Sequence, residues 1–140
     1  MQRNFPVPQN KNAVPLLEKE LTDKIIGAAI EVHKVLGPGL LESAYRQCHA
    51  HELQQRGYQV ENEVVLPVTY EGLRLDAGYR LDTWVERAVI IEHKAVENLH
   101  PVHQAQLLTY LKLSGCRLGF SLNWNVRLMK DGVHRLANEL

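Results

Sequence analysis

The sequence has 140 residues, a length that suits one domain, and 45% of them are hydrophobic, which is typical of a globular chain rather than a disordered one. Sixteen basic and sixteen acidic side chains give a formal net charge of zero, so no global field attracts nucleic acid or anionic lipid. Any site for a polyanion must therefore be local.

Cysteine usage and hydropathy indicate the compartment. Cys48 and Cys116 form no CxxC pair, and the N-terminus carries no apolar signal segment. No apolar run approaches the ~20 residues that span a bilayer. We therefore expect a soluble, cytoplasmic protein with no membrane association.

The N-terminal part of the chain divides into an arm and two helices. Residues 1–20 are predicted to form a flexible arm, because the first fifteen include three prolines and three asparagines, and residues 21–140 form the predicted domain. The first helix should begin near Thr22 as its N-cap and end at the sequence GPG of residues 37–39. The second should run from about Leu40 to Arg56, with Gly57 as its stop.

Three strands follow the helices. Residues 60–70 alternate apolar and polar side chains, which predicts a strand, and Pro67 indicates that it lies at an edge. Glu71 and Gly72 predict a two-residue hairpin turn into a second strand that reaches Asp82. Residues 89–94 form a third strand that opens apolar on both faces, as in the centre of an α/β sheet.

Asp82, Glu92 and Lys94 are the candidate site at the ends of these strands. Side chains alternate along a strand, so Glu92 and Lys94 share a face. Such a pair is most often a solvated ion pair, but charges on a buried strand are costly unless they are paired or bind an ion. A two-residue loop at 86–87 would leave Asp82 and Glu92 on opposite faces, whereas a three-residue turn at 86–88, or a bulge, brings them together. We predict the register in which they meet.

The C-terminal part is predicted to hold a third helix and a fourth strand. The helix should begin around His100 and Pro101 and end at Ser114, with Gly115 as its stop. Its packed side chains should be Val102, Ala105 and Leu108, with Leu111 and Leu113 as further candidates. A polar stripe at spacings of three and four is either a solvated face or a wall of the site, and comprises His103, Gln106 and Tyr110. A strand at 117–122, a turn at 123–125 and a last strand or helix from residue 126 follow. This order predicts α/β layers around one sheet.

Four motifs occur in order along the chain: GLLESAY at residues 39–45, GYRLD at 78–82, EHK at 92–94 and QLLTY at 106–110. Together they resemble the GxxExxY family, a branch of the PD-(D/E)XK nuclease-like superfamily, and the last is similar to the Q-x-x-x-Y element of the exonuclease branch. The similarity covers residues 21–140. Leu81 stands where the strict pattern has proline, and His93 stands where a small or apolar residue is usual. Strand alternation points His93 away from the site, as a packed imidazole.

The resemblance implies a restriction-endonuclease-like αβββαβ core, with a central mixed sheet flanked by helices. It also implies a Mg²⁺-dependent nuclease, with Mn²⁺ as an alternative ion, that hydrolyses DNA in preference to RNA through a metal-activated water. Asp82, Glu92 and the backbone carbonyl of His93 would bind the metal, and Glu42 would complete or extend the acidic site. Lys94 would orient or activate the water. Four further residues would bind substrate or brace the site: Tyr45, Arg80, Gln106 and Tyr110.

Three alternatives remain open at this point. The zero net charge and the lack of a long basic run favour a catalytically silent module that keeps the nuclease fold and binds nucleic acid or a protein. Transition-metal ligands could come from Cys48, His49 and His51 or from His100 and His103, although no second half of a zinc site is evident. The small size of the domain favours a homodimer or a separate protein partner that supplies targeting.

Overall fold

The computed structural model describes residues 13–138, with side chains from residue 18 onward. Three α-helices are present in this range: α1 (Ala13–Leu36), α2 (Glu42–Gln55) and α3 (Pro101–Ser114). One sheet contains β1 (Val60–Tyr70), β2 (Leu73–Val85), β3 (Val89–Lys94), β4 (Leu118–Asn123) and β5 (Val133–Ala137). A short 3-10 helix, Met129–Gly132, precedes β5.

The strands are arranged in the order β1-β2-β3-β4-β5, and only the central pair, β3 and β4, is parallel. α3 connects these two strands and packs on one face of the sheet, where Leu107 and Leu111 meet Ile90. α1 and α2 cover the other face, where Ile25 and Leu53 meet Ile91. The expected central mixed sheet flanked by helices is confirmed. Within residues 13–138, no helix is both long and apolar enough to cross a bilayer.

Two predicted turns set the register of the sheet, and both are confirmed. Glu71 and Gly72 have φ angles of 48° and 82° and close the β1–β2 hairpin with two residues, as a turn with two left-handed positions requires. Val85 pairs with Val89, which leaves a three-residue turn at 86–88. The predicted edge position of β1 is also confirmed, and its ladder shifts at Pro67, which has no N–H to donate.

The predicted start of the first helix near Thr22 is wrong, because α1 begins at Ala13. Proline is tolerated in the first turn of a helix, so Pro15 does not stop α1. Leu21, Ile25 and Ala28 are fully buried on one side of α1, which extends the packed face beyond the predicted cap. Residues 13–20 of the expected arm are thus helical, and residues 1–12 lie outside the described residues.

The predicted packing face of the third helix is correct at Leu111 and wrong at Val102. Leu107 and Leu111 are buried, whereas Val102 is 58% exposed. The reason lies in β4, where Gly119 has no side chain, and an added Cβ would lie 3.0 Å from Leu107 Cδ1 and 3.2 Å from Leu111 Cδ2. The two leucines therefore pack over the bare glycine and determine which stripe of α3 faces the sheet.

The predicted turn at residues 123–125 is replaced by a buried junction. Asn123 is the last residue of β4, and Trp124 has no exposed surface. Its indole joins the core beneath α1 and α2. The undecided C-terminal segment forms β5, which pairs antiparallel with β4.

Candidate active site

Asp82 and Glu92 lie where the pairing of β2 with β3 ends. The last paired residues are Thr83 and Ile91, and the same register places Asp82 opposite Glu92 one step further. Side chains then replace the backbone ladder: the His93 N–H donates to Asp82 Oδ2 at 3.0 Å, and the Asp82 N–H donates to Glu92 Oε1 at 3.4 Å. The three-residue turn thus brings the two carboxylates together.

β2 is irregular at this point. Leu81 and Trp84 are three residues apart, and strict alternation would place them on opposite faces, yet both pack with Ile90 beneath α3. In β1, Glu63 lies across from Asp82, is left out of the pairing and has a φ angle of 54°. Because both strands are irregular here, the orientation of the Asp82 side chain does not follow the strict alternation of a regular strand.

Burial and a neighbouring charge dominate the electrostatics of the pair. Glu92 is only 4% exposed. Burial, followed by the negative charge of Asp82, raises the pKa of Glu92 to about 8, and the positive charge of Lys94 opposes the shift. A buried carboxylate beside a second carboxylate favours a bound proton or a bound cation, and such perturbed groups cluster at functional sites.

Glu42 contacts the residue that follows Lys94, at the end of β3. Lys94 is the last residue of β3 and is half-buried. Glu42 is the first residue of α2, and its Oε1 accepts a hydrogen bond of 3.3 Å from the N–H of Ala95. This contact ties the beginning of α2 to the residue that follows Lys94, so that Glu42 lies at the lysine end of the site.

The polar stripe of α3 lies over the site. Gln106 Nε2 donates to Tyr110 Oη at 3.1 Å. Burial and then the charge of Glu92 raise the pKa of Tyr110, which places its hydroxyl near the acid pair. Burial and then the charge of Lys94 lower the pKa of His103, which lies one turn before Gln106 in α3. His103 and Tyr110 are half-buried and Gln106 is exposed, so the stripe borders the site and is open to solvent.

Tyr45 and Arg80 lie at the margins of the site. Tyr45 has no exposed surface, its hydroxyl donates to the carbonyl of Gly37, and the N–H of Leu40 donates to the same hydroxyl at 3.1 Å. Burial leaves Tyr45 no surface for substrate and favours bracing of the turn between α1 and α2. Arg80 is exposed and forms an ion pair of 3.4 Å with Glu63, so its guanidinium contacts β1 rather than the acid pair.

The donors at Asp82 and Glu92 suit a hard divalent cation. Such an ion takes one or two protein carboxylates, accepts a backbone carbonyl such as that of His93 and keeps several waters. The raised pKa of the buried Glu92 shows that a positive charge would be stabilised there. Within residues 13–138 no three side chains of His, Cys, Asp or Glu converge as a ready metal site, so the acid pair alone would anchor an ion.

The alternative transition-metal set is not assembled. His49 Nε2 bonds to the carbonyl of Ile25 at 2.9 Å inside the core. Cys48 and His51 instead line a cavity of about 300 Å³ between α1 and α2. His100 and His103 cap α3 through a hydrogen bond of 3.2 Å from the His100 N–H to His103 Nδ1.

Sequence reasoning missed the residues behind the site. His93 was expected to pack, and it has no exposed surface, but its partners Thr83 and Trp124 received no role, and His49 was considered only as a metal ligand. Burial, followed by the charges of His49 and Arg46, holds the pKa of His93 well below its usual range. Polar residues in otherwise apolar strands, at positions that face the core, are the signal that could have identified Thr83 and His93 as partners.

Comparison with known proteins identifies a family that the chain matches. The sequence profile of the PD-(D/E)XK nuclease superfamily matches residues 19–136. Neither a curated protein nor a solved structure matches the chain. The match includes both acidic residues, Lys94 and the stripe of α3.

Proposed function

Because the chain belongs to the PD-(D/E)XK nuclease superfamily, we propose that it is a divalent-metal-dependent nuclease that hydrolyses phosphodiester bonds, in DNA rather than RNA. The observation that carries the proposal is the pair formed by Asp82 and Glu92, in which each carboxylate accepts a backbone N–H from the other strand. The raised pKa of Glu92 supports a cation between them. The similarity of residues 106–110 to the exonuclease branch supports DNA.

Asp82, Glu92 and the carbonyl of His93 would hold Mg²⁺ or Mn²⁺, and Glu42 would extend the acidic site from the lysine end. When bound, such an ion lowers the pKa of a water molecule and offsets the charge of the phosphodiester in the transition state. In the hydrolysis, the oxygen of water bonds to phosphorus, the bond from phosphorus to the leaving sugar oxygen breaks, and that oxygen takes up a proton. Catalysis of this step is largely positioning and charge stabilisation.

The other residues of the site have distinct proposed roles. Lys94, at the end of β3, orients the attacking water and stabilises the charge that develops on the phosphate. Gln106 and Tyr110 contact the nucleic-acid strand from α3. Tyr45 braces the turn that positions Glu42 at the beginning of α2. Arg80 is exposed beside β1 and is available to a phosphate further along the strand.

The decisive experiment compares the wild type with Asp82→Ala on labelled single- and double-stranded DNA and RNA, with Mg²⁺, with Mn²⁺ and with a chelator. We expect DNA cleavage that requires the metal and disappears in Asp82→Ala. Cleavage that survives the substitution would identify a contaminant. Metal-dependent cleavage of RNA alone would contradict the preference for DNA.

A protein-binding module without turnover is the second candidate, and the outer half of the β1–β2 hairpin favours it. Val65, Tyr70, Leu73 and Leu75 are between 48% and 65% exposed there. Exposed apolar side chains in one region are typical of interaction surfaces. The partner would be a second copy or another protein.

Light scattering at several concentrations, for the wild type and Leu73→Glu, tests this candidate. A dimer in the wild type that Leu73→Glu disrupts would establish the hairpin as the interface between copies. A monomer at every concentration would rule out the homodimer.

The free thiols of Cys48 and Cys116 support a reducing compartment, so we propose the cytoplasm as the site of action.

A further inference from the structure

A chain of side-chain hydrogen bonds runs along the face of the sheet opposite the acid pair. Trp124 Nε1–H donates to His93 Nδ1 at 3.0 Å, and His93 Nε2 lies 2.9 Å from Thr83 Oγ1. The Thr83 hydroxyl donates to Asn62 Oδ1 at 2.8 Å. His93 and Thr83 have no exposed surface.

The direction of every bond in this chain is fixed by its first member. The indole nitrogen of Trp124 is a donor only, so His93 Nδ1 must accept. His93 therefore carries its ring proton on Nε2 and donates it to Thr83 Oγ1. The hydroxyl hydrogen of Thr83 then goes to Asn62. Each donor has one acceptor, so a change at one member leaves a buried group without its partner.

The bond between Thr83 and His93 lies directly behind the acid pair. Thr83 follows Asp82 in β2, and His93 follows Glu92 in β3. The paired residues of β2 and β3 end at Thr83, so this side-chain bond joins the strands where the ladder no longer does. The backbone N–H of His93 also donates to Asp82 Oδ2, which links the imidazole to the carboxylate through one residue.

The far end of the chain is held by two other elements. The backbone N–H of Trp124 donates to the carbonyl of Lys94 at 2.9 Å. The indole stacks on Tyr45 of α2, with ring centroids 4.8 Å apart and planes within 3°. The ring of His49 meets that of His93 edge to face at 5.7 Å. The imidazole of His93 is therefore packed between Trp124, which is itself held by Tyr45, and His49.

We propose that Thr83 and His93 are positioning residues whose side-chain hydrogen bond sets the separation of Asp82 and Glu92. Beyond the ladder, β2 and β3 are joined by two hydrogen bonds that involve the carboxylates themselves, and by the bond between Thr83 and His93, which does not involve them. A cation site tolerates little misplacement of its ligands, and partners behind the ligands commonly govern affinity. The inference rests on the proposed cation site for its functional consequence.

Two substitutions at Thr83 separate positioning from packing. Thr83→Ser keeps the hydroxyl and loses a buried methyl group, whereas Thr83→Val keeps the branched shape and loses the hydroxyl. Mn²⁺ affinity is measured by calorimetry and by electron paramagnetic resonance, and thermal unfolding is measured without metal. We expect Thr83→Ser to bind Mn²⁺ within about twofold of the wild type and Thr83→Val to bind about 10- to 100-fold more weakly.

The inference is overturned if folded Thr83→Val binds Mn²⁺ as the wild type does, or if Thr83→Ser loses as much affinity as Thr83→Val. Asn62 is exposed, so Asn62→Ala keeps the test decisive if Thr83→Val does not fold. The alanine removes the acceptor of the Thr83 hydroxyl, and we expect severalfold weaker Mn²⁺ binding. Unchanged affinity in Asn62→Ala would then overturn the inference.

Asp82→Ala distinguishes a failure of the positioning role from a failure of the proposed cation site. If the wild type binds no more Mn²⁺ than Asp82→Ala does, there is no cation site at Asp82, and both the proposed site and the positioning role are wrong. If the wild type binds Mn²⁺ through Asp82 but Thr83→Val binds equally well, only the positioning role fails. Nuclease activity is not needed for either result.

Discussion

Asp82 and Glu92 are held by each other's strands: the backbone N–H of Asp82 donates to the Glu92 carboxylate, and the N–H next to Glu92, that of His93, donates to the Asp82 carboxylate. The arrangement keeps two acids together in a buried place where their charges repel. Burial and the charge of Asp82 therefore raise the pKa of Glu92 to about 8. A proton on Glu92 at low pH, or a cation bound between the two acids at high pH, removes the repulsion.

The stability of the metal-free protein should therefore fall as the pH rises from about 5 to 8. Between the ordinary glutamate pKa of 4.5 and about 8, folded Glu92 keeps a proton that the unfolded chain has released. The free energy of unfolding then decreases with pH, because the folded state binds more protons. Glu92→Gln should lack this slope, and the difference between the two proteins should be of the order of 2–4 kcal/mol.

Urea unfolding at several pH values in a chelator measures this difference, and Glu71→Gln, at an exposed position, is the matched control. Parallel curves for the wild type and Glu92→Gln would contradict the electrostatic description of the pair. Mg²⁺ should stabilise the wild type more at pH 8 than at pH 6, because the ion replaces the proton. A Mg²⁺ effect that is equal at both pH values would argue against binding at Glu92.

Tyr45→Phe should destabilise the protein while the stacking on Trp124 is kept. The substitution leaves the N–H of Leu40 and the carbonyl of Gly37 without their partner, at a cost of about 1–3 kcal/mol. Tyr70→Phe is the matched control, because Tyr70 is 65% exposed. Equal free energies of unfolding for the two variants would show that the Tyr45 hydroxyl does not brace the turn.

The register of the site could be predicted from the sequence because a strand has a period of two. A turn of three residues, or a bulge, places Asp82 opposite Glu92, and the requirement that two acids meet excludes the regular two-residue loop. The hairpin at Glu71 and Gly72 and the end of α3 at Gly115 were predictable for a similar reason. Each needs a left-handed backbone, which glycine adopts without strain.

Other features depend on tertiary contacts that no local pattern contains. Trp124 follows a strand between two asparagines, a context that indicates a turn, but Tyr45 and His93 surround its indole and bury it. The face of α3 was ambiguous because the leucines and the small residues both repeat at helical spacing, and Gly119 on a distant strand decides between them. The start of α1 depended on the buried Leu21, which extends the packed face beyond Thr22.

Glu42→Gln should separate the charge of Glu42 from its structural contact. The amide oxygen of glutamine can still accept the N–H of Ala95, so we expect an unchanged free energy of unfolding. If Glu42 contributes to the cation site, kcat/KM should fall about 10- to 100-fold. Glu52→Gln, also in α2, is the control for a loss of one negative charge. Equal activities of the two variants would remove Glu42 from the acidic site.

Two glutamines on α3 test how the helix meets the substrate. Gln106 and Gln104 are both exposed and two residues apart, so they point to different sides of α3. Gln106 bonds to Tyr110, whose pKa is raised in part by the charges of Glu92 and Asp82, so Gln106 lies on the side of the acid pair. A hydrogen bond from Gln106 to a phosphate would be worth about 1.5–3 kcal/mol, and Gln106→Ala should therefore weaken the binding of an oligonucleotide about tenfold or more. Gln104→Ala should have no effect, since its side chain lies away from the site.

Fluorescence anisotropy with Asp82→Ala as the background, which prevents cleavage, measures both affinities. If Gln104→Ala weakened binding as much as Gln106→Ala, the substrate would lie across the outer surface of α3 and not between α3 and the ends of β2 and β3.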